Sequence, residues 1–409
     1  MALSALPTEL IQTISRHLEL PDQLLLCRTS HRLYAICMEW IYRVLDLQSP
    51  VQLLRCCKTV IARPEAALSV WELKIDSVPS YVLNSFYTAF RSATTRMKNL
   101  RAIALISAHL LHSIADIVFP RLAHCFIPLL SDSYGFLHRN PAIQRISIIP
   151  VPGQSDIPNN SHKPIHMPNL RQFIGSEIAA CTLVPGAPVS AISIAWGPNP
   201  PKWYSRGLAA AASSTAEIHN FSALIPSWDP AFLWTITQHT PRIRSLTIWG
   251  GTISVLGPKK EDFLSAMDDT LPSLICLANL VIEDNTHHNR TSEVLESEFD
   301  RVRRWGYIRP TLARVELSGS VWVVWEDVWL PENCSADHTD SLEYLKWFIK
   351  KVLISPGLPS CYREKAILFG GVDGMRVLEE AVKRGEAVPA FEILEEEGGG
   401  TVISFLSDT

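Results

Sequence analysis

Two patterns of apolar and polar positions divide this chain. Over residues 1–47 the apolar positions recur at helical spacing. Pro7 opens a first helix, with Leu10, Ile11, Ile14 and Leu18 on one face. Pro21 opens a second, shorter helix carrying Leu24, Leu25 and Cys27, and Ser30 can cap a third that carries Leu33, Ile36, Cys37 and Trp40. Proline suits the first helical position, where the amide has no intrahelical partner. A serine at the cap satisfies one of the orphan amides. Helices this short bury little apolar surface among themselves. The pattern therefore predicts that the rest of the chain, a partner, or both cover what remains.

A helix is expected over Val51–Ile61, ending before Pro64. From about Val70 the grammar changes to a recurring unit, apolar-x-x-apolar-x-apolar, often two residues after a proline. It stands at Leu100-x-x-Ile103-x-Leu105, and again from Ile143, Val189, Ile243, Leu277 and Leu312, with degenerate copies from Leu122, Leu170 and Thr215. Val70–Ile75 reads as a first strand. The gaps between starts are 22, 21, 27, 19, 26, 28, 34 and 35 residues. Leucine-rich repeats recur at about 20–29 residues with one strand per turn. Most of these gaps fit, and the last two call for insertions. Helical patterns between units, at Tyr81–Met97, Glu261–Asp268 and Glu293–Trp305, suit a strand followed by a returning helix. An ordinary α/β domain with similar strands is the other reading. Pro150–Pro168 and Pro185–Tyr204 read as loops, and 331–409 as a tail with helices at Asp340–Leu353 and Asp373–Arg384 and strands at Ile367–Phe369 and Val402–Leu406.

Composition narrows the function classes. Hydrophobic residues make up 47% and charged residues 19% of 409 positions, enough for a large core. The net charge is -4, with -1 in residues 1–47, -6 in 331–409 and a weak +3 between, which argues against a nucleic-acid surface. Nine cysteines lie scattered without a CxxC, as in a reducing compartment. The amino-terminal stretch lacks a basic region before its apolar face, so no signal peptide is expected. The apolar run Ala102–Phe119 is broken by His109, His112 and Asp116, so no membrane span is expected either.

A search for catalytic patterns returns no nucleophile elbow, phosphate loop or zinc-protease motif. Gly370-Gly371-Val-Asp373-Gly374 could cradle a phosphate, but a turn is the plainer reading. His109-x-x-His112, His162, His166 and His287-His288 lack further ligands at metal-binding spacing. Arg301, Arg303, Arg304 and Arg309 read as a solvated helix face, or else as a dock for an acidic segment. Aromatic residues are the stronger binding candidates. Trp196, Trp203 and Tyr204 lie on a proline-rich stretch, and Trp325 and Trp329 follow Trp322 near the end of the array. Each is either core or a recognition rim for a protein substrate.

The segment 5–47 resembles an F-box. Leu6-Pro7-x-Glu9-Leu10-Ile11-x-x-Ile14 carries the resemblance, with Leu18, the Leu20-Pro21-Asp22 corner, Leu24, Arg32 and the closing Tyr42-x-x-Leu45-Asp46-Leu47. Leu33 stands where that family usually has Trp, Thr29 and Ser30 replace its usual apolar residue and Cys, and the link before Tyr42 is slightly short. With the repeats that follow, the layout is similar to F-box/leucine-rich-repeat proteins of fungi. The resemblance implies an α/β fold: a small helical F-box, then an irregular leucine-rich-repeat-like solenoid with a parallel sheet. The divisions implied are 1–47 for the F-box, 48–70 for a helical connector, 71–330 for the array and 331–409 for a capping α/β tail. It further implies a non-catalytic substrate receptor of an SCF-type cullin–RING ubiquitin ligase, in the cytoplasm or nucleus and without a cofactor. Leu6, Pro7, Glu9, Leu10, Ile14, Leu18, Pro21, Leu24 and Arg32 would then meet a Skp-type adaptor, and through it a cullin. The array would hold an unknown target protein. A repeat scaffold that binds no adaptor, or an enzyme whose site is dispersed in sequence, are the alternatives.

Overall fold

The computed structural model describes residues 6–76, 83–150, 164–197, 201–250, 259–284, 291–325, 328–332, 342–354, 358, 360–395 and 401–405, without the side chains of 201–203, 343 and 395. The chain is mixed α/β with mostly parallel sheet. It packs as two compact units, Met1–Ile243 with Ile253–Phe263, and Arg244–Thr252 with Leu264–Thr409. The divisions expected at 47, 70 and 330 differ from these. One reason is local: the segment closing the first 47 residues is already a strand of the sheet.

The first unit opens with three helices, α1 (Thr8–His17), α2 (Leu20–Cys27) and α3 (His31–Ile41). Ser30 caps α3, its hydroxyl accepting from the Leu33 amide. Strand β1 (Val44–Leu47) follows, then α4 (Pro50–Ala62), capped by Ser49, and α5 (Pro64–Ser69). The remaining order is β2 (Glu72–Ile75), α6 (Asn84–Thr94), β3 (Ala102–Leu105), α7 (Ala108–Ile114), β4 (His124–Pro128), α8 (Ser131–Arg139) and β5 (Arg145–Ile149). Then come β6 (Gln172–Ser176), α9 (Glu177–Leu183), β7 (Ala191–Ala195), α10 (Pro201–Ala212), β8 (Asn220–Leu224) and α11 (Pro230–His239). Each strand from β1 to β7 pairs in parallel with the next.

The recurring unit explains this order. Its second and third apolar positions are the inward residues of each strand: Ile103 and Leu105, Cys125 and Ile127, Ile146 and Ile148, Ile192 and Ile194 are all buried. Its first position lies just before the strand and is buried too, as at Leu100, Leu122, Ile143, Leu170 and Val189. There the chain turns, and one carbonyl accepts two successive amides of the next turn. Arg43 O takes Trp71 N and Glu72 N, Trp71 O takes Arg101 N and Ala102 N, and Arg101 O takes Ala123 N and His124 N, all at 2.7–3.0 Å. The weak copies trade volume within a unit. At β6 the third position is Gly175, where a Cβ would stand 2.9 Å from the Phe173 ring. The copy expected from Thr215 is displaced by three residues. Ile218, Phe221 and Ala223 are its buried positions, because Phe221 supplies the volume that Ala223 lacks.

The second unit carries β9 (Ser245–Gly250), most of α12 (Lys260–Thr270), β10 (Asn279–Asp284), α13 (Ser292–Ile308) and β11 (Arg314–Leu317). Strands β9, β10 and β11 are parallel neighbours. The chain then reverses through Ser318 (φ 48°) and Gly319 (φ 79°). Two positive φ values match the turn that joins antiparallel strands by two residues. Accordingly β12 (Ser320–Trp325) and β13 (Val328–Pro331) run antiparallel. Helices α14 (Leu342–Ile354), α15 (Ser360–Gly370) and α16 (Val372–Lys383) follow, with a separate hairpin of β14 (Phe391–Glu395) and β15 (Thr401–Phe405). Ile367–Phe369, expected as a strand, is the last turn of α15. Its bulky residues sit on a helix that ends at Gly370, just before Gly371, where φ is 73°.

Candidate functional site

The three N-terminal helices make a small core of Ile11, Leu33 and Ile36, with Leu6 and Leu26 packed against it. Ile11 and Ser15 face inward from α1, not the Leu10/Ile14 stripe. Ser15 is a buried polar residue with partners: its hydroxyl lies 3.4 Å from Cys37 Sγ, and its carbonyl accepts from Gln23 Nε2 at 2.8 Å. Gln23 also donates to Leu18 O at 3.0 Å, which ties α2 to the end of α1. Arg32 Nη2 donates to Leu6 O at 2.9 Å and to Thr8 Oγ1 at 3.1 Å, holding the start of α1 against α3. Helix α3 in turn packs on α5, where Arg63 donates to the Tyr34 hydroxyl.

That arrangement turns the second apolar stripe outward. Leu10 is 51% exposed, Ile14 37%, Leu20 54%, Leu24 48% and Leu25 60%. Pro7, Glu9 and Pro21 are exposed beside them, and Leu18 is partly so. Five large apolar side chains are thus left exposed on two short helices, more than the single exposed leucines of an ordinary surface. Of the nine residues expected on an adaptor surface, Leu6 packs in part against the helices' own core, and Arg32 is exposed while hydrogen-bonded to Leu6 and Thr8. Leu20 and Leu25 join the exposed set. The sequence already carried both, in the corner and on α2, but gave no sign of which side they face.

The aromatic candidates are placed differently. Trp196 and Tyr204 are buried, in a ring cluster with Phe221 and Phe232 at centroid distances of 5.3–6.2 Å. The proline-rich stretch is not one loop: β7 crosses it, and Pro201 opens α10, which carries Tyr204 inward. Burial pushes the Tyr204 phenol up. Trp203 has its side chain outside the described residues. Trp329 is buried, whereas Trp325 is 55% exposed at the end of β12. These burials remove Trp196, Tyr204 and Trp329 from the recognition rim and, among the described side chains, leave Trp325.

The other chemistry resolves into structure. Gly370 and Gly374 are contact points: a Cβ on either would meet Ile403, at 2.6 and 2.7 Å. His112 Nδ1 pairs with Asp132 Oδ2 at 2.7 Å. His162 and His287-His288 lie outside the described residues. Arg304 lies 3.8 Å from Asp268, Arg303 lies over the Phe299 ring, and Arg309 donates to the Leu271 and Pro272 carbonyls. Among the described residues no group of three or more His, Cys, Asp or Glu could hold a metal ion. Nor is any described helix long and apolar enough to cross a membrane.

Two of the concave features among the described residues bear on binding. In the second unit a cleft of about 790 Å3 is lined by Phe299, Arg303, Tyr307, Trp329 and Lys351. In the first unit a shallow, open depression of about 320 Å3 lies on the solvent face of β2–β6. Parallel register sets its lining in two rows. Glu72, Ala102, His124, Arg145 and Gln172 stand side by side, and two residues further along stand Lys74, Ala104, Phe126, Ser147 and Ile174. Partial burial lowers the His124 pKa, Arg145 lowers it further, and Glu72 opposes both. No family model and no curated protein matches this chain.

Proposed function

We propose that this protein is the substrate-recognition subunit of an SCF-type cullin–RING ubiquitin ligase. On this reading α1–α3 form an F-box that docks a Skp-type adaptor, and through it a cullin. The strand–turn–helix units form an irregular leucine-rich-repeat-like array that holds a target protein. The observation that supports it is the outward stripe of Leu10, Ile14, Leu20, Leu24 and Leu25. These helices already have a core, so the stripe is a surplus that the rest of the chain leaves uncovered. Docking would bury it, at about 25 cal/mol for each Å2 of apolar surface removed from water. A ligase receptor needs no chemistry of its own. It raises the local concentration of target lysines near a ubiquitin-charged enzyme. Co-expression with a Skp-type adaptor tests the reading: the two chains should co-purify, and Leu10→Asp with Leu24→Asp should abolish this without unfolding the protein. Both positions are exposed, whereas a charge at Leu6 would disturb the helices' own core.

A further inference from the structure

We propose that the depression on β2–β6 binds an extended segment of a partner protein carrying a carboxylate and, two residues along, a bulky apolar side chain. The inference rests on the receptor reading and adds the chemistry of the target.

Both halves of that chemistry are on the sheet. Arg145 and Gln172, neighbours in register on β5 and β6, put hydrogen-bond donors at one end of the first row. His124 adjoins Arg145 on the other side, and Glu72 stands three strands away at the far end. The second row is apolar at Ala104, Phe126 and Ile174, and Ile174 is exposed. Ala102 and Ala104 are small between longer neighbours, and this is what makes the dip.

Charge pairing sets Arg145 apart from Lys74, the other cation of the two rows, and from Arg43 and Arg101. On the same face Lys74 is held between Asp46 and Asp76, at 3.3 and 3.1 Å. Arg43 and Arg101 lie over the Trp71 ring, at 3.6 and 3.9 Å from its centroid. Arg145 has no carboxylate partner and no ring beneath it among the described residues, although it is exposed beside an apolar dip. A guanidinium so placed fits a carboxylate supplied from outside.

Spacing completes the match. The two rows are two residues apart on each strand, about 7 Å. An extended segment lying along the strands presents its own alternate side chains at that same interval. On a segment running parallel to the strands, an acidic residue over Arg145 and Gln172 therefore sets the second residue after it over Ser147 and Ile174, with Phe126 beside Ser147 on the next strand. The expected pattern is acidic-x-apolar.

Panning a phage-displayed random peptide library on the full-length protein tests this, with Arg145→Glu and Ala104→Phe as separate variants. Arg145→Glu reverses the charge at an exposed position, and Ala104→Phe fills the dip without altering charge. Wild type is expected to enrich acidic-x-apolar sequences. A synthetic peptide of that sequence should bind each variant at least about tenfold more weakly by fluorescence polarisation. No enrichment, selection of basic or purely apolar sequences, or binding by either variant as tight as by wild type overturns the proposal. So does a single-stranded oligonucleotide that binds wild type and is lost with Arg145→Glu. Adaptor binding, measured on the same variants, should be unchanged. Adaptor binding without peptide selection defeats this inference alone, and peptide selection without adaptor binding defeats the ligase reading alone.

Discussion

Leu10 and Ile11 are consecutive residues of α1 that face opposite ways. Ile11 is buried against Leu33 and Ile36, while Leu10 is half exposed. Ile11→Ala should therefore destabilise the N-terminal helices by about 2–4 kcal/mol, the cost of a cavity in a small core. Leu10→Ala should change stability by less than about 0.5 kcal/mol. Hydrogen exchange on α1 and α3 separates the two. Equal loss of protection in both variants would mean that Leu10 belongs to the core.

Gly374 sits against the β15 hairpin, where an added Cβ would meet Ile403 Cβ at 2.7 Å. Alanine gains about 1 kcal/mol of helix propensity. Overpacking against a buried isoleucine costs about 1–3 kcal/mol. Gly374→Ala should therefore lower the stability of the second unit, as read by denaturant unfolding, and Ile403→Gly in the same chain, which removes that Cβ, should relieve the clash.

The cysteines differ in reactivity for a physical reason. Burial pushes the Cys57 thiol up to about 12 and raises that of Cys125 too, whereas Cys361 is exposed. At pH 8 a thiol with a pKa near 12 is thiolate in only about one molecule in ten thousand. Iodoacetamide should label Cys361 first, and Cys57 and Cys125 only on unfolding. Peptide mass mapping over time reads the order.

Asp116 and Arg91 form a pair at the surface, where Arg91 Nη2 donates to Asp116 Oδ2 at 2.6 Å. That bond lowers the Asp116 pKa to about 2. The folded value lies below the unfolded one of about 3.9, so the pair stabilises the fold above that pH. Its contribution is lost as pH falls through about 2. Solvent screening keeps it under about 1 kcal/mol. An NMR titration of the Asp116 carboxyl should show a midpoint below the ordinary value of about 3.9, rising towards it in Arg91→Ala.

Much of the sheet was legible because the strand units carry their apolar positions at a fixed spacing. Leu100, Ile103 and Leu105 are all buried where the pattern puts them. The Thr215 copy slipped because Ala223 is too small to register as a core position without Phe221 beside it. The inward face of α1 was not legible. Leu10/Ile14 and Ile11/Ser15 are equally good i,i+4 stripes, and only the hydrogen bonds of Ser15 to α2 and α3 select the one containing a serine. The tryptophans misled for a related reason. Prolines around Trp196 mark turns, but whether the ring points in or out depends on Phe221 and Phe232, remote in sequence. The two-row depression exists only once register sets Arg145 beside Gln172.

Calorimetric titration of a purified Skp-type adaptor into the full-length protein tests the central claim most directly. Wild type should bind one adaptor per chain with a Kd of about 1 μM or tighter, and Leu10→Asp with Leu24→Asp should bind at least about a hundredfold more weakly with unchanged melting. A folded wild type that shows no saturable binding, or a double variant that binds as tightly as wild type, would contradict the account.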